Sequence, residues 1–153
     1  MRRLGWTLIA GEYPGGSDHE LYPLNVVDPT VARDRSPDPR RHSLGELIPD
    51  VVAIRERQLI IAEAKVSYNQ SDREKLEYIL GPRRADLLTA LHKFAHERDM
   101  KELLPIDSLI LCPVLVFLEE SSAPPPTGSI SYLRIRSSEE GYIEGKLSDQ
   151  DGP

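Results

Sequence analysis

Pro49-Asp50-Val51-Val52-Ala53-Ile54, the polar Arg55-Glu56-Arg57-Gln58, and Leu59-Ile60-Ile61-Ala62-Glu63-Ala64-Lys65-Val66 form the stretch on which the fold turns. Two β-prone runs separated by a short polar segment predict an antiparallel hairpin. In the second run Ile60, Ala62 and Ala64 share one face while Leu59 and Ile61 line the other, as expected of a strand covered on both sides. Strand alternation sends Glu63 and Lys65 to the same side, and the hairpin sets Asp50, at the start of one strand, beside Glu63, near the end of its partner. Charged groups at the end of a covered strand need partners.

Upstream, residues 6–10 (Trp6-Thr7-Leu8-Ile9-Ala10) read as a first strand closed by Tyr13-Pro14-Gly15-Gly16, and Ser17-Asp18-His19-Glu20 has capping-box spacing. Residues 28–49 carry Pro29, Pro37, Pro39 and Pro49 and predict an extended loop. Downstream, Ser71-Asp72-Arg73-Glu74 is a second capping-box signal, opening a helix that runs to the breaker Gly81-Pro82. A second helix places Leu87, Leu88, Leu91, Phe94 and Ala95 on one stripe and ends near Lys101. Residues 108–118 are apolar enough for a strand buried on both faces, with Pro113 implying an edge position or a bulge. Residues 121–128 form a stiff connector, and two short strands follow over 130–135 and 141–147. Strands, two helices and strands again predict an α/β fold with a mixed sheet flanked by helices, one domain over 1–147 and a disordered acidic tail over 148–153.

Composition bounds the function. The chain has 153 residues, 39% of them hydrophobic, which suits one domain with an ordinary core. No apolar run approaches the ~20 residues that span a bilayer, and Met1-Arg2-Arg3-Leu4-Gly5-Trp6 lacks the apolar stretch of a signal peptide, so a soluble cytoplasmic protein without membrane partners is expected. The single Cys112 excludes an internal disulfide and lies in a predicted buried strand as core filling. Net charge is −6, of which residues 137–153 contribute −4, so the remainder is close to neutral. A free-standing nucleic-acid binder is usually basic. The one basic cluster outside the predicted helices is Arg33, Arg35, Arg40 and Arg41, interleaved with Asp34 and Asp38, and these arginines are candidate phosphate contacts.

The hairpin carries the chemistry. Two neighbouring carboxylates repel, and a divalent cation resolves the conflict. Hard oxygen ligands suit Mg²⁺, with Mn²⁺ as a substitute, and the Ala64 backbone carbonyl is positioned as a further ligand beside Asp50 and Glu63. Such an ion activates water and neutralises charge growing on a phosphodiester. The Lys65 ammonium is placed to orient that water or to stabilise the pentavalent phosphorus.

Pro49-Asp50, twelve intervening residues, and Glu63-Ala64-Lys65 resemble the PD-(D/E)xK nuclease superfamily, which includes many restriction endonucleases. The resemblance implies a restriction-endonuclease-like α/β/α core, Asp50 and Glu63 as metal ligands and Lys65 as the catalytic lysine. The apolar strand leading into Glu63 and the helix after Lys65 also look like that family. Many members carry another acid on a helix before the first strand; here nothing acidic precedes Trp6, so Glu12 or Glu20 would have to substitute, and for Glu20 a capping role competes.

Other features have plainer readings. Pro37-Asp38 lacks a following strand, and Glu144-Gly145-Lys146 sits in a Gly-bracketed segment that reads as a surface strand. His92 and His96 are one helical turn apart but lack an evident third ligand. Lys75 and Tyr78, three apart on the first helix, are placed to approach a substrate, but the plainer reading is a solvated lysine and a packing tyrosine. The expectation is a Mg²⁺-dependent DNA endonuclease of restriction or defence type, using Asp50, Glu63 and Lys65. Because phosphate contacts supply most non-specific affinity, a chain at −6 is expected to act as a homodimer or with a larger DNA-recognising subunit. The alternatives are a non-catalytic nuclease-like assembly subunit and an RNA nuclease.

Overall fold

The fold is that of a computed structural model, which describes residues 5–11, 26–27, 46–47, 49–137 and 140–145. In chain order these form β1 (Thr7–Gly11), β2 (Val26–Val27), β3 (Glu46–Leu47), β4 (Val51–Arg55), β5 (Gln58–Ala64), α1 (Gln70–Leu80), α2 (Arg84–Glu97), β6 (Ile110–Leu118), β7 (Ser131–Ile135) and β8 (Gly141–Glu144). The expected hairpin is β4 and β5, in register from Val51 opposite Ala62 to Arg55 opposite Gln58. Glu56 takes the left-handed conformation at φ 56° to make the turn, and the Arg55 guanidinium donates to Gln58 Oε1 at 3.1 Å across its mouth.

The hairpin is built into a six-stranded sheet of order β1-β4-β5-β6-β7-β8, with β2 and β3 pairing separately. β5 is antiparallel to β4 and parallel to β6, so the sheet is mixed. Parallel neighbours require a crossover. Here α1 and α2 supply it, and their apolar stripes close over one face of the sheet. Leu59 and Ile61 of β5 share that core with Leu76 and Ile79 of α1, Leu87, Leu91 and Phe94 of α2, and Phe117 and Tyr132 from the neighbouring strands. The alternate residues Ala53, Ile60, Ala62, Cys112 and Val114 form a second cluster with Trp6 on the opposite face. Among the described residues both α-helices pack on the first face, and the helical layer expected on the second face does not occur among them. No helix of the described residues is long and apolar enough to cross a membrane.

Several boundaries differ from expectation for identifiable reasons. The N-cap of α1 is Asn69, whose side chain accepts the Ser71 and Asp72 amides at 2.8 and 3.3 Å. Asn ranks among the strongest caps, and Ser71 becomes one of the residues being capped. α2 ends at Glu97, and a separate 3₁₀ turn follows at Lys101–Leu103. Pro113 lies in a central strand with neither edge nor bulge. The amides of Ile110 and Leu118 donate toward β5, so alternation turns Pro113 toward β7, whose pairing begins one residue later at Val114. No ladder bond is lost. β8 stops at Glu144 rather than 147. The Ser17–Glu20 turn, most of the Pro-rich 28–49 segment and the 148–153 tail lie outside the described residues.

Leu59 is fully buried between the sheet and both helices. Leu59→Ala is expected to destabilise the protein by about 2–5 kcal/mol, the range for a leucine truncated in a packed core, as read from the urea midpoint at unchanged m value.

Candidate functional site

Register and strand direction bring the candidate residues together. Val51 pairs with Ala62, so the start of β4 and the end of β5 share one edge of the sheet. Asp50 immediately precedes β4, and its Oδ2 accepts the Ala64 amide at 2.8 Å. That amide points to the β4 side just where the backbone ladder runs out, so the Asp50 carboxylate takes the place of a main-chain acceptor. Because N–H and C=O of one strand residue point the same way, the Ala64 carbonyl also lies on the Asp50 side.

Glu63 faces the helices and is 2% exposed, one of two buried polar residues among those described. The Lys75 ammonium of α1 lies 2.7 Å from its Oε1. This corrects the expectation of a solvated lysine: the Lys75 side chain is only 23% exposed. The contact is a close charge pairing that only partly offsets the loss of water around the carboxylate. Burial therefore pushes the Glu63 carboxyl up to about 7, opposed by Lys75 and reinforced by the negative charges of Asp50 and Asp72. Asp72, in the first turn of α1, buries its Oδ2 without a hydrogen-bond partner.

Lys65 follows the last residue of β5, and its amide donates to Val116 O at 3.0 Å while Leu118 donates to Val66 O. The parallel ladder thus continues past β5, and alternation keeps Lys65 on the Glu63 face. Its side chain is exposed. The structure brings Asp50, Glu63, Ala64 and Lys65 to one sheet edge and adds Lys75 and Asp72 from α1. A sequence signal for the last two exists: positions 72, 75, 76 and 79 form one helical stripe, and Leu76 and Ile79 are buried. The charged members of that stripe enter the same interface.

Among the described residues no group of three or more His, Cys, Asp or Glu side chains is arranged to hold a metal. The oxygen donors at hand are the Asp50 and Glu63 carboxylates and the Ala64 carbonyl. Mg²⁺ binds through one or two carboxylates and keeps several waters, so this open donor set fits it, and the buried, poorly hydrogen-bonded Glu63 oxygen is the feature that a cation would relieve. Glu12, Glu20, Arg33, Arg35, Arg40 and Arg41 lie outside the described residues. Of the other candidates, Glu144 is paired to Arg134 at 2.6 Å, His92 and His96 are exposed on α2, and Tyr78 is half-buried on α1. No protein-family model, curated protein or solved structure matches the chain.

The Glu63 carboxyl binds its proton more tightly in the folded protein than the ordinary value of 4.5 allows in the unfolded chain. Its contribution to stability is therefore fully present below about 4.5 and is lost as pH rises through about 7. Urea titrations from pH 4 to 8 are expected to show wild type losing on the order of 3 kcal/mol more than Glu63→Gln across that window. Parallel curves for the two proteins would contradict the assignment.

Proposed function

We propose that this chain is a Mg²⁺-dependent endodeoxyribonuclease, a restriction or defence enzyme or the small catalytic subunit of one, built on a restriction-endonuclease-like core. The observation that carries the reading is the burial of Glu63 at the end of a central strand, with the Asp50 carboxylate on the same sheet edge and Lys65 on the same face. When bound, Mg²⁺ supplies a more nucleophilic water and neutralises charge on the phosphodiester.

The chain's own residues do the rest. Asp50 uses Oδ2 on the Ala64 amide, which fixes its carboxylate, and would be the first ligand. Glu63 would supply its buried carboxylate as the second ligand. Lys65 offers an exposed ammonium to the phosphate and would stabilise the charge that develops in the pentavalent state. The net charge of −6 favours action as a homodimer or beside a larger DNA-recognising subunit, with Arg33, Arg35, Arg40 and Arg41 as phosphate contacts. The same metal chemistry cleaves RNA, so a ribonuclease is a substrate variant of this reading.

One observation favours a second reading. The Lys75 ammonium already balances Glu63 inside the protein, as it would in a nuclease-like subunit that has an assembly role and no catalysis. Plasmid nicking in Mg²⁺ separates the two. The wild-type chain, with its partner where one is needed, is expected to nick supercoiled DNA, and Asp50→Ala and Lys65→Ala to lose at least about 10²-fold in rate, the cost of one electrostatic stabiliser. Activity unchanged in both variants, or no Asp50-dependent nicking under any partner condition, sinks the enzyme reading.

A further inference from the structure

The Lys75 ammonium occupies an oxygen of the proposed ligand Glu63 at 2.7 Å. An ammonium and a divalent cation cannot both take the same lone pairs of a carboxylate at full strength. Lys75 also has a second place to go. Asp72 lies three residues earlier on α1, where side chains are neighbours on the helix surface, and its Oδ2 is buried with no hydrogen-bond partner. The carboxyls of Asp50, Glu63 and Asp72 outnumber the one ammonium, Lys75, that is paired with Glu63.

We propose that Lys75 and a divalent cation are alternative counter-charges for Glu63: the ammonium on Oε1 gives way when the cation binds and moves to Asp72. This rests on the reading of Asp50 and Glu63 as metal ligands. Lys75 is then a positioning residue that keeps Glu63 aimed at the sheet edge and sets the affinity of the cation. The exchange lowers apparent metal affinity by the fraction of molecules in which Lys75 has left Glu63. It also explains why a lysine, with a flexible four-carbon stem, stands here: a planar arginine fork locked on the carboxylate would yield less readily.

The test uses the full chain, with Mn²⁺ followed by calorimetry and Mg²⁺ followed by NMR of the Lys75 side-chain ammonium. Lys75→Met is expected to bind Mn²⁺ about tenfold tighter than wild type, as removal of a competing cation requires, with binding lost in Asp50→Ala. In wild type the Lys75 ammonium resonance is expected to shift saturably with Mg²⁺. A Lys75→Met affinity equal to or weaker than wild type, or a Lys75 resonance unmoved at saturating Mg²⁺, overturns the exchange while Asp50-dependent binding leaves the metal reading standing. Absence of Asp50-dependent Mn²⁺ binding in both wild type and Lys75→Met overturns both. Should Lys75→Met fail to fold, the wild-type Mg²⁺ titration decides alone.

Discussion

Everything at the sheet edge depends on the cost of burying the Glu63 carboxylate. A carboxylate removed from water loses several kcal/mol unless charge and hydrogen bonds are returned to it. Glu63 receives one ammonium, which does not fully offset its burial, and its proton affinity rises. Stability alone offers no reason for this, since an apolar residue would fill the same place between β5 and α1 at lower cost. Local rules broken without local compensation are commonly found at functional or strained positions. Glu63, more than the exposed Lys65, is such a position.

The rest of the fold holds Glu63 and Lys75 in register. Tyr68 packs edge-on against Phe117 and Tyr132 with ring centroids 6.0 Å away, and its amide donates to Ser121 Oγ at 2.8 Å. Arg73 reaches from α1 to Thr127 Oγ1 at 2.7 Å and to the Tyr132 hydroxyl at 3.3 Å. The N-terminal half of α1 is thereby tied to the Pro-rich connector and to β7, two strands away from β5. With Asn69 capping the helix, little freedom remains in where Lys75 starts along the sheet. The connector, which the sequence marks only as stiff, thus serves as the anchor for the helix that completes the site.

The hairpin was legible because two signals agree: period-two alternation, and apolar residues on both faces of the second run. Those signals set β4 against β5 and so forced Asp50 and Glu63 onto one edge. The sheet's mixed character was legible from the order of elements. What was not legible depends on tertiary contact. Lys75 reads as an ordinary helix lysine until α1 is docked, because the stripe formed by positions 72, 75, 76 and 79 contains two charges that a polar-outside rule assigns to solvent. Pro113 suggests an edge until the stagger between β6 and β7 is known. The Asn69 cap was not legible, because the Ser71–Glu74 capping-box pattern stands out where a lone Asn does not.

In an open sheet with parallel strands, the carboxyl ends of those strands form the usual place for a site. β5, β6 and β7 run parallel and so end on one edge. β4 runs against β5 and therefore begins there, which is how a residue ahead of a strand, Asp50, meets a residue at the end of another, Glu63. A fully parallel arrangement of β4 and β5 would have put their charged ends on opposite edges, some five residues of strand apart. The two-residue turn at Glu56-Arg57, far from the site, is what prevents this. The meeting of Asp50 and Glu63 at one edge of the sheet thus rests on a backbone reversal at the other, made by a residue that carries a left-handed φ without being glycine.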